Sequence, residues 1–184
     1  MSIRFPFKEK KSAEAAAHLL MRHNGTLNYM VLIKLLYLAD RQALVDSGMP
    51  ITGDQPFSLP HGPVLSKILD LINMGREDGA SPWFEYITEP QNYNVSLVQR
   101  PPSSSELSEY ELRVLDVIDE QFGRLDKWML RDLTHKLPEW VDPNGSSIPI
   151  RIETILESAD KSQAEIERIA GDARESCFLE SLGG

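Results

Sequence analysis

With 184 residues, 41% of them hydrophobic and 26% charged, the chain has the length and balance of one soluble globular domain. A core of that size needs neither disulfides nor metals. The net charge of −9 speaks against nucleic acid as the main ligand, because duplex-binding surfaces concentrate lysine and arginine and draw affinity from counterion release.

Taken in chain order, the N-terminus has no apolar stretch of signal-peptide kind. The basic run Arg4 to Lys11, four positive residues against Glu9, reads as a solvated, fraying tail. A first helix is expected over Ser12–His23, broken by Asn24-Gly25. A second covers Leu27–Val45, with Leu32, Leu35, Leu36, Ala39 and Ala43 at helical spacing and apolar residues on its other faces too, as a central helix requires. Its apolar run Tyr29–Ala39 contains Lys34 and falls far short of the roughly 20 residues that cross a bilayer. Gly48 is placed to end it in a left-handed conformation. Pro63 is expected to open a third helix that continues to Met74. WFEYIT and YNVSLV, between Trp83 and Val98, are short, aromatic and β-branched, and read as a β-hairpin around Glu89-Pro90-Gln91-Asn92. RPPSSS (Arg100 to Ser105) is the one linker-like segment, a hinge within one domain rather than a boundary between two. Ser108 and Glu111 form a capping box, with Leu107 and Leu112 as its hydrophobic staple, for a helix ending near Phe122-Gly123. Asp126 caps the next, to about Lys136. Pro149 is expected to open another to Ala159, and Ser162 with Glu165 caps the last. The resulting fold is mainly α: about seven helices with one small antiparallel hairpin. Eight acidic and three basic residues between Glu153 and Glu180 make the C-terminus the acidic end. The lone Cys177 cannot form an internal disulfide, which fits a reducing cytoplasm.

The chain has no Gly-rich phosphate loop, nucleophile elbow or zinc-spaced histidine pair, so no metal, cofactor or catalytic role is expected. The histidines are scattered, at His18, His23, His61 and His135. Asp132 can orient His135 from one helical turn away, and Asp116 and Glu120 share a helical face that reads as solvated. Lys34, alone among apolar neighbours, can snorkel to an edge or pair with a buried carboxylate, Asp40 or Asp54. Gly53 and Gly62 suit backbone conformations that other residues resist. His61, just before the expected third helix, is placed to help hold an anion or a partner carboxylate. Trp140 is a core plug or an interface anchor.

Three signatures follow one another here: KLLYLAD (Lys34 to Asp40), then G-x-P-I-T-G-D (Gly48 to Asp54), then H-G-P-V (His61 to Val64). Their order and spacing resemble the Panacea, or SocA-like antitoxin, domain. Ser108 to Phe122, Leu133-Thr134-His135 and Pro138-Glu139-Trp140 fit that family's second half, so the resemblance spans about Leu27 to Ala170. Where many relatives have an aromatic before Gly-Pro-Val this chain has His61, and no role is carried over to that side chain. The resemblance implies an antitoxin of a bacterial or phage toxin–antitoxin pair. Such a protein neutralises a cognate toxin, encoded by a neighbouring gene, by direct binding or as an adaptor delivering it to a protease. The candidate partner-binding residues are Lys34, Tyr37, Asp40, Asp54, His61, Gly62, Pro63, His135 and Trp140, since loops on a rigid helical frame gather polar groups and aromatic anchors. Bracing the fold is the competing role for the same residues. Two other classes stay open. One is a winged-helix-like DNA-binding regulator with Trp83–Val98 as its wing, opposed by the acidic charge. The other is a hydrolase using His61 or His135 with a nearby carboxylate.

Overall fold

The computed structural model describes residues 2–75 and 81–183. Its centre is α2 (Tyr29–Ser47), in which every residue from Val31 to Asp40 is buried. Asn28 caps its start by accepting from Met30 N at 3.0 Å, and Gly48, at φ +81°, ends it in the left-handed region as its position predicted. α1 (Glu9–Arg22) and α5 (Glu109–Phe122) both pack on α2 and on each other. The break after α1 falls at Asn24 and Gly25, both at positive φ. α5 starts on the Ser108–Glu111 capping box, with both reciprocal hydrogen bonds formed, and Leu107 and Leu112 join the same core cluster. α6 (Lys127–Thr134) is capped by Asp126, which accepts from Trp128 N and Met129 N. α7 (Ile152–Ser158) and α8 (Gln163–Leu182), the latter opened by the Ser162–Glu165 capping box, build a second apolar cluster with Ile3, Leu44 and Ile150.

The described residues form eight helices and two small antiparallel sheets, so the fold is mainly α as expected, with one more helix and more strand than expected. The hairpin expected over Trp83–Val98 is only half present. Its first arm is the short helix α4 (Pro82–Tyr86), buried through Trp83, Phe84 and Tyr86 against α1. Glu9 of α1 explains the change: its Oε1 accepts from Trp83 N at 3.2 Å and from Ser81 Oγ, satisfying the first free amide of a helix opening at Pro82. The second arm, β4 (Asn94–Ser96), pairs with β1 (Thr26–Asn28) beside α2, leaving single bridges such as Ile87 with Leu97 to the first arm.

A different hairpin lies upstream. β2 (Pro56–Leu59) and β3 (Gly62–Leu65) turn at Pro60-His61, and β5 (Ile148–Pro149) adds to the outer edge of β2. The expected helix start at Pro63 is therefore corrected: α3 (Ser66–Met74) begins three residues later. Asp54 fixes that start by accepting from Lys67 N at 3.1 Å and Ile68 N at 3.0 Å. Likewise Pro149 does not open a helix. It sits on an edge strand, where a missing N–H costs nothing, and α7 begins at Ile152. The basic N-terminal run is not a frayed tail either. Ile3 is buried, Ile3 N donates to Glu153 Oε1 at 2.9 Å, and Lys8 N donates to Thr52 O at 2.9 Å.

Candidate functional site

Lys34, Tyr37, Asp40 and Arg41 project from α2 at helical spacing and hold three segments against it, Tyr37 and Arg41 sharing one. Lys34, 1% exposed, donates from Nζ to Pro63 O at 2.7 Å. It pairs with neither Asp40 nor Asp54, so the expected carboxylate partner is replaced by a backbone carbonyl. Burial without an anion pushes its pKa down to about 7. Asp40 accepts from Thr52 N at 2.9 Å and from Thr52 Oγ1, which pins the ITGD loop; burial raises its pKa to about 7 against the pull of those hydrogen bonds. Tyr37 Oη donates to Glu139 Oε1 at 2.7 Å, and Arg41 Nε reaches the same oxygen at 2.7 Å. Burial and the Glu139 carboxylate together hold the Tyr37 phenol well above its ordinary pKa.

Asp54 belongs to the same internal bracing. Besides capping α3 it accepts from Gln55 N at 2.7 Å and Ser66 Oγ at 3.3 Å, which uses its oxygens fully. Gly62, at φ +98°, is a point of close approach, since a Cβ there would lie 2.7 Å from Thr134 Oγ1 and 2.8 Å from Lys34 Nζ. Gly53, at φ +68°, faces the N-terminal arm so tightly that a Cβ would lie 2.1 Å from Pro6 O. The ITGD and HGPV glycines are thus contact points as well as turn formers.

The tip of the β2–β3 hairpin faces outward. His61 is exposed there rather than standing at a helix N-terminus, and its ring meets Trp128 edge-on at 6.0 Å. Trp140 is half-buried, donates from Nε1 to Leu59 O at 3.1 Å and stacks on His135 at 3.9 Å and 15°. Burial, Lys34 and Arg131 lower the His135 pKa, with a hydrogen bond to the Pro60 carbonyl opposing them. Asp132 does not orient this ring: its carboxylate is held by Arg131 at 2.8 Å. The histidine–carboxylate contacts lie elsewhere, His18 with Asp116 at 2.7 Å and His23 with Asp119 at 2.5 Å, both shared with Arg22. Asp116 therefore cross-links α1 to α5 instead of standing on a free acidic face.

Beside the hairpin tip, α6 presents an aromatic and cationic surface. Trp128 is 49% exposed, Met129 53% and Tyr93 67%. Lys127 Nζ lies 4.8 Å from the Trp128 ring centre and 5.6 Å from that of Tyr93, while Arg131 Cζ is 4.9 Å from Trp128. This composition of tryptophan, tyrosine, methionine and arginine is that of interface cores. Of the candidate residues, the structure gathers the buried Lys34, Gly62 and Pro63 with the half-buried His135 into one cluster around the hairpin and leaves His61 and the edge of Trp140 accessible. Tyr37, Asp40 and Asp54 lie apart from it as internal braces. Glu139, Trp128 and Met129 are absent from the candidate set. Glu139 was signalled by the Pro138-Glu139-Trp140 motif. Trp128 and Met129 were signalled by position, since α6 buries Leu130 and Thr134 and so turns Trp128 and Met129 outward.

Among the described residues no group of three or more histidine, cysteine or acidic side chains is placed to hold a metal, and no helix is long and apolar enough to cross a membrane. Residues 32–141 match the family described as antitoxin SocA-like, Panacea domain, and the chain belongs to that family. The matched span begins and ends inside the Leu27–Ala170 range of the resemblance. Neither the curated proteins nor the solved structures compared with the chain give a match. Family membership points to a toxin partner in general and to a non-enzymatic role.

Proposed function

We propose that the chain is the antitoxin of a toxin–antitoxin pair and that it neutralises its toxin by direct binding through the hairpin tip and α6. The family match supports the first half. The observation that supports the second is the exposed Trp128, flanked by His61, Lys127 and Arg131 on elements that are rigidly braced from beneath. Rigid aromatic anchors bind at low entropic cost, and truncating one such anchor removes about 2 kcal/mol or more of binding in typical interfaces. In this arrangement Lys34, Tyr37, Asp40, Asp54 and Glu139 act as the frame. His61, Trp128 and the edge of Trp140 meet the partner.

The test is co-expression with the product of the neighbouring gene. That product alone arrests growth, and this chain restores it. His61→Ala with Trp128→Ala keeps the fold and loses the rescue. A neighbouring product without effect on growth would overturn the antitoxin reading, and full rescue by the double variant would move the interface elsewhere. Toxin half-life separates the two modes of action: a protease adaptor shortens it, whereas a blocking antitoxin leaves it unchanged.

A further inference from the structure

A cleft of about 330 Å³ lies between the N-terminal arm, the ITGD loop, the start of α3 and the β5–α7 junction. Its volume falls at the lower end of small-molecule sites, which run from about 300 Å³ upward. Three cations line it, Arg4, Lys67 and Arg151, in a chain whose net charge is −9. Arg4 and Lys67 have no carboxylate partner among the described residues; Lys67 instead lies 5.2 Å from the ring centre of Phe7. Arg151 Nε is 3.7 Å from Glu153 Oε2, too far for a hydrogen bond, so its guanidinium donors stay available. The one acidic side chain lining the cleft is Asp54, whose oxygens are already occupied by backbone amides and Ser66. The same carboxylate fills the N-terminus of α3, so the cleft does not depend on that helix end. The remaining lining carries an apolar wall of Phe5, Phe57, Pro149 and Ile150 beside the polar Ser2 and Gln55.

Surface cations normally find acidic neighbours in an acidic protein. Three that line one concavity, two of them without a carboxylate neighbour, fit an anion, and the apolar wall fits a flat or hydrophobic body attached to it. We infer that this cleft binds a small organic anion, its phosphate or carboxylate group held by Arg4, Lys67 and Arg151 and its planar body lying on Phe5 and Phe57. The arm forming one wall is fixed in place: Gly53 lets Pro6 approach, Ile3 is tied to Glu153, and Lys8 N is tied to Thr52 O. A preformed wall lowers the ordering cost of binding.

The inference is independent of the antitoxin reading, because it is tested on the chain alone. Titration calorimetry and thermal shift are run with AMP, phenyl phosphate, phthalate, inorganic phosphate and adenosine, the first three at low and high salt. At least one of AMP, phenyl phosphate and phthalate binds and raises the melting temperature, and raised salt weakens it. Phosphate esters and carboxylates are thereby told apart. Inorganic phosphate, lacking the flat body, and adenosine, lacking the anion, each bind at least about tenfold more weakly than that probe. Lys67→Ala and Arg151→Ala, both at exposed positions, keep the unliganded melting temperature and each weaken the probe about tenfold or more. Lys67→Glu removes binding altogether. No binding of the three organic anions at millimolar concentration overturns the inference. Unchanged affinity in all three variants, or adenosine binding as well as AMP, does so too.

Discussion

Lys34 is a buried amine whose charged form has no anion to offset its lost hydration, and this makes it a stability sensor. Its folded pKa, about 7, lies below the ordinary 10.5, so between those values the unfolded chain holds the proton and the folded chain does not. Its contribution to stability therefore rises as pH increases from about 7 to about 10. The gain is a few kcal/mol, since each tenfold difference in proton affinity between the two states is worth about 1.4 kcal/mol. Asp40 has the opposite sign in a different window. Its folded pKa is raised from 3.8 to about 7, so its contribution falls as pH rises from about 4 to about 7. Denaturant unfolding of the wild type and Lys34→Met across pH 6 to 10 isolates the amine: the wild type gains on the variant as pH increases above 7. A constant difference would show that the amine does not titrate in the folded chain over that range. Gly62 presses on the same amine. Gly62→Val adds strain at φ +98° and a Cβ within 3 Å of both Lys34 and Thr134, and should cost about 2–4 kcal/mol or prevent folding. A melting temperature within a degree or two of wild type would show that the hairpin can move away.

At the scale of elements, α2 is both the core and the fastening strip. Leu36 is 1% exposed, and Leu36→Asp places an unpaired charge among apolar side chains, which should abolish cooperative folding. A soluble variant with a sharp unfolding transition would contradict that. Glu139 holds α2 to the segment before β5 through Tyr37 and Arg41. Glu139→Ala leaves Arg41 without its carboxylate and should cost about 3–5 kcal/mol, whereas Tyr37→Phe loses one hydrogen bond and about 1–2 kcal/mol. Equal, small losses in denaturant unfolding would mean that the pair is not a structural joint. α2, α5, α6 and α8 were legible in the sequence because apolar period, caps and end signals agree there. The caps at Ser108, Asp126 and Ser162 are local and need no tertiary partner. α4 was not legible because Glu9, more than seventy residues away, satisfies its first free amide. β2 and β3 were hidden because Gly62-Pro63 looks like a helix entry until Asp54 sets the start of α3 downstream. The candidate set followed the same divide. Lys34, Tyr37, Asp40 and Asp54 among the signature residues are engaged in hydrogen bonds inside the fold. The outward Trp128 gave no motif, only a position off the buried face of its helix.

At the scale of the whole molecule, we propose that the 184-residue chain unfolds as one cooperative unit, with Arg100–Ser105 a connection inside it. Ser105 Oγ and Glu106 N both donate to the buried Glu14 of α1 at 2.7 Å, tying the end of that connection to the first half of the chain. One transition, coincident by circular dichroism and tryptophan fluorescence, is the expected result; two separated transitions would divide the chain at the connection. Cooperative unfolding also sets the terms for a test of the partner surface, because a substitution in a cooperative frame can lose a partner simply by loosening that frame. Asp54→Ala, His61→Ala, Trp128→Ala and Trp140→Ala separate the two effects. Asp54→Ala removes four accepted hydrogen bonds and the cap of α3, so it should lower the melting temperature by several degrees and weaken the partner only as far as it unfolds the protein. His61→Ala and Trp128→Ala touch exposed rings, so they should keep the melting temperature and lose about tenfold or more in affinity, roughly 1.4 kcal/mol each. Trp140→Ala falls between, losing both the stack on His135 and the hydrogen bond to Leu59 O, and should lower stability and affinity together. Calorimetric melting and titration with the partner give both numbers for each variant. If His61→Ala and Trp128→Ala bind as tightly as the wild type, the partner docks on a different face, and the acidic outer surface of α8 is the next one to vary.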